Sequence, residues 1–463
     1  MYLKSLKVEN WQCIQYTKPI FENLMLFIGP TNNGKSSIIS AIMFFLGYRN
    51  LRTKDIRSQN IPLELEGTFQ NISKNTYKHL KEFVYKKELT LKIQKYPNYD
   101  IQYKVKINKD WKIISEETYR EIVSHIPILY IPPFQDKEQI SFLVNSLFEI
   151  LKRRNISETL MISSLKKLAN TLQNDYVSKG LYRNLLFEIF RSISEESQKR
   201  NHSIIGNTIV FFEEPELYLH PQAEKELYNA FIQLSNLGAQ LYISTHSSNF
   251  ISLKHYKSIC IMRKHKDFGS RAFQFKGRLF SGDEVKYFNM NYWINPDRSE
   301  LFFAKKVILV EGQTDKIVLG YLAKKLGIYK YNYSILECGS KSIIPQFIKL
   351  LNAFKIPYVA IYDKDNHYWR TELEIENSND KNHSIQRAIN FKFGDFIEFE
   401  NDIEEELYNE KRERKNYKNK PFYALKTVSE EDYIIPARLK EKIEKIYKKF
   451  YYFYNYTYYL III

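Results

Sequence analysis

Leu24-Met25-Leu26-Phe27-Ile28 runs directly into Gly29-Pro30-Thr31-Asn32-Asn33-Gly34-Lys35-Ser36-Ser37. Five apolar residues in a row read as a buried strand, and the spacing from Lys35 to about Gly47 predicts a helix. The turn between them is a complete Gly-x-x-x-x-Gly-Lys-Ser phosphate loop. Glycines let the backbone wrap close to phosphate, so that successive N–H groups and the helix N-terminus face negative charge. Gly29, Asn32, Asn33, Gly34, Lys35, Ser36 and Ser37 are therefore the candidate contacts to ATP. Lys35 would reach the β- and γ-phosphates, and the Ser36 hydroxyl would ligate Mg²⁺. A glycine turn can be merely structural, but the Lys-Ser ending and the strand-to-helix setting argue against that here.

Downstream, Ile209-Val210-Phe211-Phe212 is a second apolar strand, ending in Glu213-Glu214. In this position Glu213 would hold Mg²⁺ and Glu214 would orient and polarise the attacking water. Paired acids at a strand end are common surface residues, but their neighbours narrow the choice. Pro215-Glu216-Leu217-Tyr218-Leu219-His220-Pro221 resembles the EEPE-x-x-LHP run of the OLD (overcoming lysogenization defect) and SMC-like ABC ATPases, where it forms the D-loop between two nucleotide-binding domains. Leu241-Tyr242-Ile243-Ser244-Thr245-His246 ends in a residue similar to their γ-phosphate-sensing histidine. No LSGGQ signature is present. Ser178-Lys179-Gly180 is the best substitute, and Gln70 is a possible Q-loop glutamine. The resemblance implies sites completed by a second subunit, hence a homodimer or higher homo-oligomer.

Val307-Ile308-Leu309-Val310 leads into Glu311-Gly312-Gln313-Thr314-Asp315, and Tyr358-Val359-Ala360-Ile361-Tyr362 leads into Asp363-Lys364-Asp365. Each acid at a loop start is ordinary alone. The E-G-x-x-D and D-x-D runs, in this order, resemble the Toprim motifs of OLD-family nucleases. The resemblance implies that Glu311, Asp315, Asp363 and Asp365 ligate Mg²⁺ or Mn²⁺, as hard oxygen donors do, with Glu311 and Asp363 acting catalytically. It also implies that Gly339 and Ser340, in Glu337-Cys338-Gly339-Ser340-Lys341-Ser342, approach the metal or the scissile phosphate. Alternate residues of an extended segment share a face, so Asp363 and Asp365 would point together. Asp402-Ile403-Glu404-Glu405-Glu406-Leu407 looks like the family's D-x-E-x-x-L run, making Asp402 and Glu404 further metal ligands. If extended, the segment brings Asp402 and Glu404 together; if helical, it pairs Asp402 with Glu405 and Glu406. Lys420, before Pro421 and after the basic run from Lys411, matches the catalytic lysine that OLD nucleases place near the scissile phosphate.

These motifs divide the 463 residues. The expected fold class is α/β. An ABC-type P-loop ATPase domain (1–134 and 199–298) carries a helical insertion, 135–198, suited to dimerisation. A Toprim, Rossmann-like α/β domain (299–463) comes next, ending in the aromatic tail KKFYYFYNYTYYLIII. Lys plus Arg number 69 against 53 Asp plus Glu, a net charge of +16 that favours a polyanionic partner. A coding bias towards Lys, Asn, Ile and Tyr would give the same excess. Cys13, Cys260 and Cys338 have no metal-ligand or disulfide spacing. No signal peptide or membrane-length apolar run is evident, so a cytoplasmic protein without membrane contact is expected. The resemblance implies an ATP-gated, metal-dependent DNA endonuclease of antiviral defence, working with a partner protein or nucleic acid of the same system. The alternatives are a Toprim ribonuclease acting on tRNA or other RNA, and a non-nucleolytic ATP-driven sensor or scaffold.

Overall fold

The computed structural model describes residues 1–72, 78, 80–133, 141, 143–149, 179–201, 204–265, 268–281, 296–411 and 419–448. The chain divides into two compact units, Met1–Lys276 with Met290–Ser299, and Gly277–Asn289 with Glu300–Ile463.

In the first unit, five strands run parallel: β3 (Leu24–Ile28), β8 (Ile128–Ile131), β9 (Ile209–Glu213), β10 (Gln240–Ser244) and β11 (Ile259–His265). An antiparallel set comprises β1 (Tyr2–Trp11), β2 (Ile14–Thr17), β4 (Leu63–Gln70), β5 (Leu89–Lys95), β6 (Ile101–Ile107), β7 (Asp110–Ile114) and β12 (Gly269–Phe273). All belong to one sheet, ordered β7-β6-β5-β4-β1-β2-β12-β11-β3-β10-β9-β8. Every residue of β3, β9 and β10 is buried, which explains their unbroken apolar sequences: a parallel sheet is covered on both faces. Helix α1 (Lys35–Phe45) buries Ile38, Ile39, Ile42, Met43, Phe44 and Phe45, and it ends where Leu46 caps it and Gly47 turns to φ +72°.

Helix α2 (Lys179–Lys199) is the described end of the expected helical insertion. It is no free arm. Leu186, Ile189, Phe190 and Ile193 are buried, and Phe190 lies 5.6 Å from Phe212 of β9 and 5.7 Å from Phe231 of α3 (Pro221–Asn236), centroid to centroid. Residues 150–178, which hold Ser178 of the candidate signature, lie outside the described residues, as do 412–418 of the basic run and 449–463 of the aromatic tail.

The second unit is built on four parallel strands, β13 (Lys306–Val310), β14 (Tyr333–Glu337), β15 (Tyr358–Asp363) and β16 (Gly394–Phe399), ordered β14-β13-β15-β16. From β13 the chain winds first to one side and then to the other. Successive crossovers therefore part at the C-terminal ends of β13 and β15, opening a crevice there. Helix α4 (Gln313–Lys325) starts well before its apolar pattern does, because its first turn is polar and is fixed by Asp315 Oδ2 accepting the Gly312 N–H at 3.0 Å. Helices α5 (Glu372–Ala388), α6 (Ile403–Tyr408) and α7 (Lys420–Ser429) complete the surroundings of the crevice.

Candidate functional site

The phosphate loop leaves the C-terminal end of β3, beside the ends of β10 and β9. Gly29 has φ +133°, and a Cβ there would stand 2.4 Å from the Met262 carbonyl oxygen; Gly34, at φ +94°, caps α1. Neither place accepts a side chain without strain. Lys35 is only 7% exposed, and its Nζ donates to the Gly29 and Pro30 carbonyls at 3.0 and 3.2 Å. Burial lowers its pKa against the opposing pull of Glu214, Glu216 and Glu213. The Ser36 hydroxyl donates to Glu213 Oε2 at 2.5 Å, and the Tyr130 hydroxyl takes the other oxygen at 2.8 Å. The two groups expected to share Mg²⁺ are thus already in contact. Burial raises the Glu213 pKa, and those two hydrogen bonds oppose the rise.

Glu214 turns off the strand at φ +47°, its N–H donating to the Ser244 carbonyl, and its carboxylate lies 3.8 Å from His246 Nε2. Burial lowers the His246 pKa, Lys35 adds to this, and Glu214 opposes it. Asn32 takes a left-handed φ, Asn33 Nδ2 donates to the Met262 carbonyl, and the Ser37 hydroxyl is turned to Cys13 Sγ at 3.2 Å. Tyr130 carries no sequence signal of its own, and Glu216, the last acid of the D-loop-like run, has a contact that the run alone does not specify. Tyr130 lies on β8, remote in sequence. The Glu216 carboxylate accepts from Thr245 Oγ1 (2.9 Å) and the His246 N–H (2.6 Å), fixing the histidine segment from below.

Gln70 does not belong here. It pairs in register with Tyr2, and the neighbouring Leu3 N–H bonds to the side chain of Gln240 at the start of β10. That is the opposite end of the strands from the phosphate loop, and Gln70 Nε2 donates instead to Glu88.

In the second unit Glu311 follows β13 and Asp363 ends β15, at the two lips of the crevice. Glu311 Oε2 is buried and has no hydrogen-bond partner among the described residues. Burial raises the Glu311 pKa, with Lys341 opposing and Asp365 adding to the rise. The Asp315 carboxyl is pushed up to about 7 by burial, reinforced by Glu311 and Glu404. Asp363 is driven well above the carboxylate range by burial and by Asp315, Glu311, Asp365 and Asp402. Acids that repel one another in a buried crevice, one with an oxygen left unpaired, fit a divalent cation through hard oxygen donors.

Asp365 is placed differently from the strand-alternation expectation. β15 ends at Asp363, and Asp365 has φ +61°. Its carboxylate meets Lys341 Nζ at 2.5 Å, Arg370 at 2.8 Å and Ser378 Oγ at 3.0 Å. The third acidic run follows neither pure geometry. Asp402 is extended and caps α6, its Oδ1 accepting the Glu405 N–H at 2.8 Å, and the helix begins one residue later. This puts Asp402 and Glu404, 2% and 3% exposed, within 3.6 and 3.4 Å of Lys420 Nζ at the start of α7. Glu405 meets His367 Nδ1 (3.0 Å) and Asn401, and the other ring nitrogen of His367 lies 3.6 Å from Asp402 Oδ2, so the side chains of His367, Asp402 and Glu405 also form a group that could hold a cation. Gly339, at φ +85°, donates its N–H to the Glu311 carbonyl at 3.0 Å, so its turn does reach the crevice; the next residue, Ser340, caps the short turn that Lys341 opens.

The Toprim-domain model of overcoming-lysogenization-defect-like proteins matches residues 302–365, and an AAA ATPase domain model matches 1–174 and 139–251, together 251 of 463 residues. This chain belongs to the AAA ATPase domain family and carries an OLD-like Toprim segment after that domain. Its relatives include an OLD nuclease of Thermus scotoductus (28% identical over 200 residues, covering 42% of this chain and 37% of that protein). The Old nuclease of Escherichia phage P2 is 23% identical over 459 residues, covering 78% of this chain and 77% of its own length. Endonuclease GajA of Bacillus cereus is 24% identical over 283 residues, covering 52% and 38%. This chain thus spans little more than a third of the first of these relatives. The matched Toprim segment holds Glu311, Asp315, Asp363 and Asp365, whereas Asp402, Glu404 and Lys420 lie beyond it. Among the described residues, no helix is long and apolar enough to cross a membrane.

Proposed function

We propose that this chain binds and hydrolyses ATP in its first unit and cleaves DNA phosphodiesters in its second, in a reaction that needs Mg²⁺ or Mn²⁺. The observation that carries the nuclease reading is the unpaired, buried Glu311 oxygen beside acids whose charged forms are all disfavoured. Glu311, Asp315 and Asp363, with Asp402 and Glu404, would hold the ion. A divalent ion bound there supplies Lewis-acid activation of a phosphate and of a water nucleophile. Lys420, on the Asp402–Glu404 pair, offers its ammonium to the phosphate anion.

At the ATPase site, Lys35 exchanges the Gly29 and Pro30 carbonyls for phosphate oxygens, which are better partners for an ammonium. Ser36 and Glu213 would hold Mg²⁺. Glu214 orients and polarises the attacking water, and His246 beside it reports the γ-phosphate. Tyr218, 53% exposed in the D-loop-like segment, is a contact to a second subunit in the homodimer that this site type requires. Incubating supercoiled plasmid with the protein and Mn²⁺, with and without ATP, tests the proposal. Nicking that EDTA abolishes is expected; no nicking under any nucleotide condition refutes it. Light scattering with ATP and Mg²⁺ should show a dimer or larger.

A further inference from the structure

Lys341 opens the turn Lys341–Ile343 after β14 and is 4% exposed. An ammonium so buried is costly unless it is paired and hydrogen-bonded. Its Nζ donates to the Asp363 carbonyl oxygen (2.5 Å), Asp365 Oδ2 (2.5 Å) and Ser378 Oγ (2.9 Å). That uses all three of its protons. On the far side of the same carboxylate, Arg370 donates to Asp365 Oδ1 at 2.8 Å. The backbone of the acid turn is held as well, with Lys364 N–H on the Phe399 carbonyl and Asp365 N–H on that of Asn401.

The residues just before Lys341 grip the other lip of the crevice. Cys338 N–H donates to the Val310 carbonyl at 2.9 Å and Gly339 N–H to the Glu311 carbonyl at 3.0 Å. One four-residue segment therefore holds the Glu311 backbone at one end and, through its lysine, the Asp363–Asp365 turn at the other. Asp365 is engaged by Lys341, Arg370 and Ser378, whereas Glu311 keeps an oxygen without a partner among the described residues.

We propose that Lys341 is a positioning residue of the Toprim centre: it brackets the Asp363–Asp365 turn against Glu311, so that Asp363 faces the divalent cation and Asp365 acts through the lysine rather than as a ligand. This rests on the metal-centre reading above. Residues that orient a metal ligand, when removed, weaken metal binding by roughly 10–100-fold.

The test is a double-mutant cycle on the full chain, reading Mn²⁺ dissociation constants from the electron paramagnetic resonance signal of free Mn²⁺, with Asp363→Asn as the reference for a lost ligand. Lys341→Met and Asp365→Asn should each weaken binding roughly tenfold, and the double variant by about the same factor, because both remove one interaction. Multiplied effects would show Asp365 touching the cation in its own right and overturn the proposal. So would unchanged affinity in Lys341→Met, or tighter binding, the outcome if the lysine were only a competing charge. If Lys341→Met does not fold, Lys341→Gln, which keeps two donors without the charge, takes its place in the cycle. Plasmid nicking by the parental chain is scored separately. The coupling without nicking refutes the nuclease reading alone, and nicking without the coupling refutes the role of Lys341 alone.

Discussion

Replacing Asp315 with Asn sets the stability of the second unit against its metal affinity. In the cation-free protein the Asp315 pKa rises from 3.8 to about 7, first because of burial and then because of Glu311 and Glu404. Between those values the folded state keeps a proton that the unfolded chain has released, so this acid's contribution to stability is full below about pH 4 and is lost as pH rises through about 7. Three units at about 1.36 kcal/mol each make about 4 kcal/mol. The amide keeps the shape but offers the Gly312 N–H a neutral acceptor, which gives back about 1 kcal/mol. Asp315→Asn should therefore stabilise the cation-free unit by about 3 kcal/mol near pH 8, and by almost nothing near pH 4. Hydrogen exchange of the β13 and α4 amides reads this unit alone, and the expected gain is exchange slower by roughly 100-fold in EDTA. Mn²⁺ at concentrations that saturate the parental protein should invert the order, because the parental protein keeps the full ligand set and gains more binding energy. Equal exchange of the two proteins in EDTA near pH 8, or the same gain at pH 4, would refute the charge argument.

In the ATPase site, Lys35→Ala should abolish ATP binding, while Glu214→Gln should bind ATP but hydrolyse it at least roughly 100-fold more slowly, since the water loses its carboxylate. Filter binding and phosphate release separate the two; parental turnover in Glu214→Gln would show that Glu214 is not the polarising acid. Asp363→Ala should eliminate plasmid nicking and leave ATP hydrolysis near the parental rate, because the ligand sets lie in separate units. Equal loss of both activities in a folded variant would contradict that division. Asp402→Asn and Glu404→Gln should each cripple nicking and Glu405→Gln should be nearly silent, since Glu405 faces His367 and Asn401 instead of Lys420. The reverse ranking would move the ligand assignment to the other helix face.

The ATPase motifs were legible because each requirement is local. A strand, a glycine turn and a lysine at fixed spacing must be contiguous to wrap a phosphate, and Glu213 with Glu214 must end a strand to reach it. The strand-and-acid pattern of the second unit was legible for the same reason, down to Glu311 and Asp363 at the strand ends. What stayed hidden is what the tertiary fold brings in from elsewhere. Tyr130 reaches Glu213 from another strand, and Lys341 and Arg370 reach Asp365 from separate segments, so no spacing announces them. Gln70 misled because a glutamine after a strand has no marker of which end of the sheet it occupies. The D-K-D turn departs from strand alternation for a backbone reason: alternation holds only while the strand lasts, and the left-handed φ of Asp365 breaks it, although Asp365 still acts on both Glu311 and Asp363. Asp402 shows the converse. A helix cap is extended at the cap and helical just after it, so one carboxylate before α6 and one inside its first turn meet the same lysine.

The two acid sets are balanced by different means, and this bears on how each responds to its cation. Glu213 is met by the Ser36 and Tyr130 hydroxyls, so the nucleotide site satisfies its acid with donors before any ion arrives. An ion entering there must displace or share good hydrogen bonds, and its net effect on stability should be small. Asp363 and Glu311 have no comparable set of donors among the described residues; their charged forms are disfavoured by burial and mutual repulsion, with Lys341 and Lys420 as partial relief for Glu311. Filling that crevice with a dication relieves several repulsions at once and draws protons off the acids, so affinity should rise with pH through the range near 7 where Asp315 ionises. A centre built this way would couple metal binding to folding of the second unit, whereas the nucleotide site would be poised without its ligand.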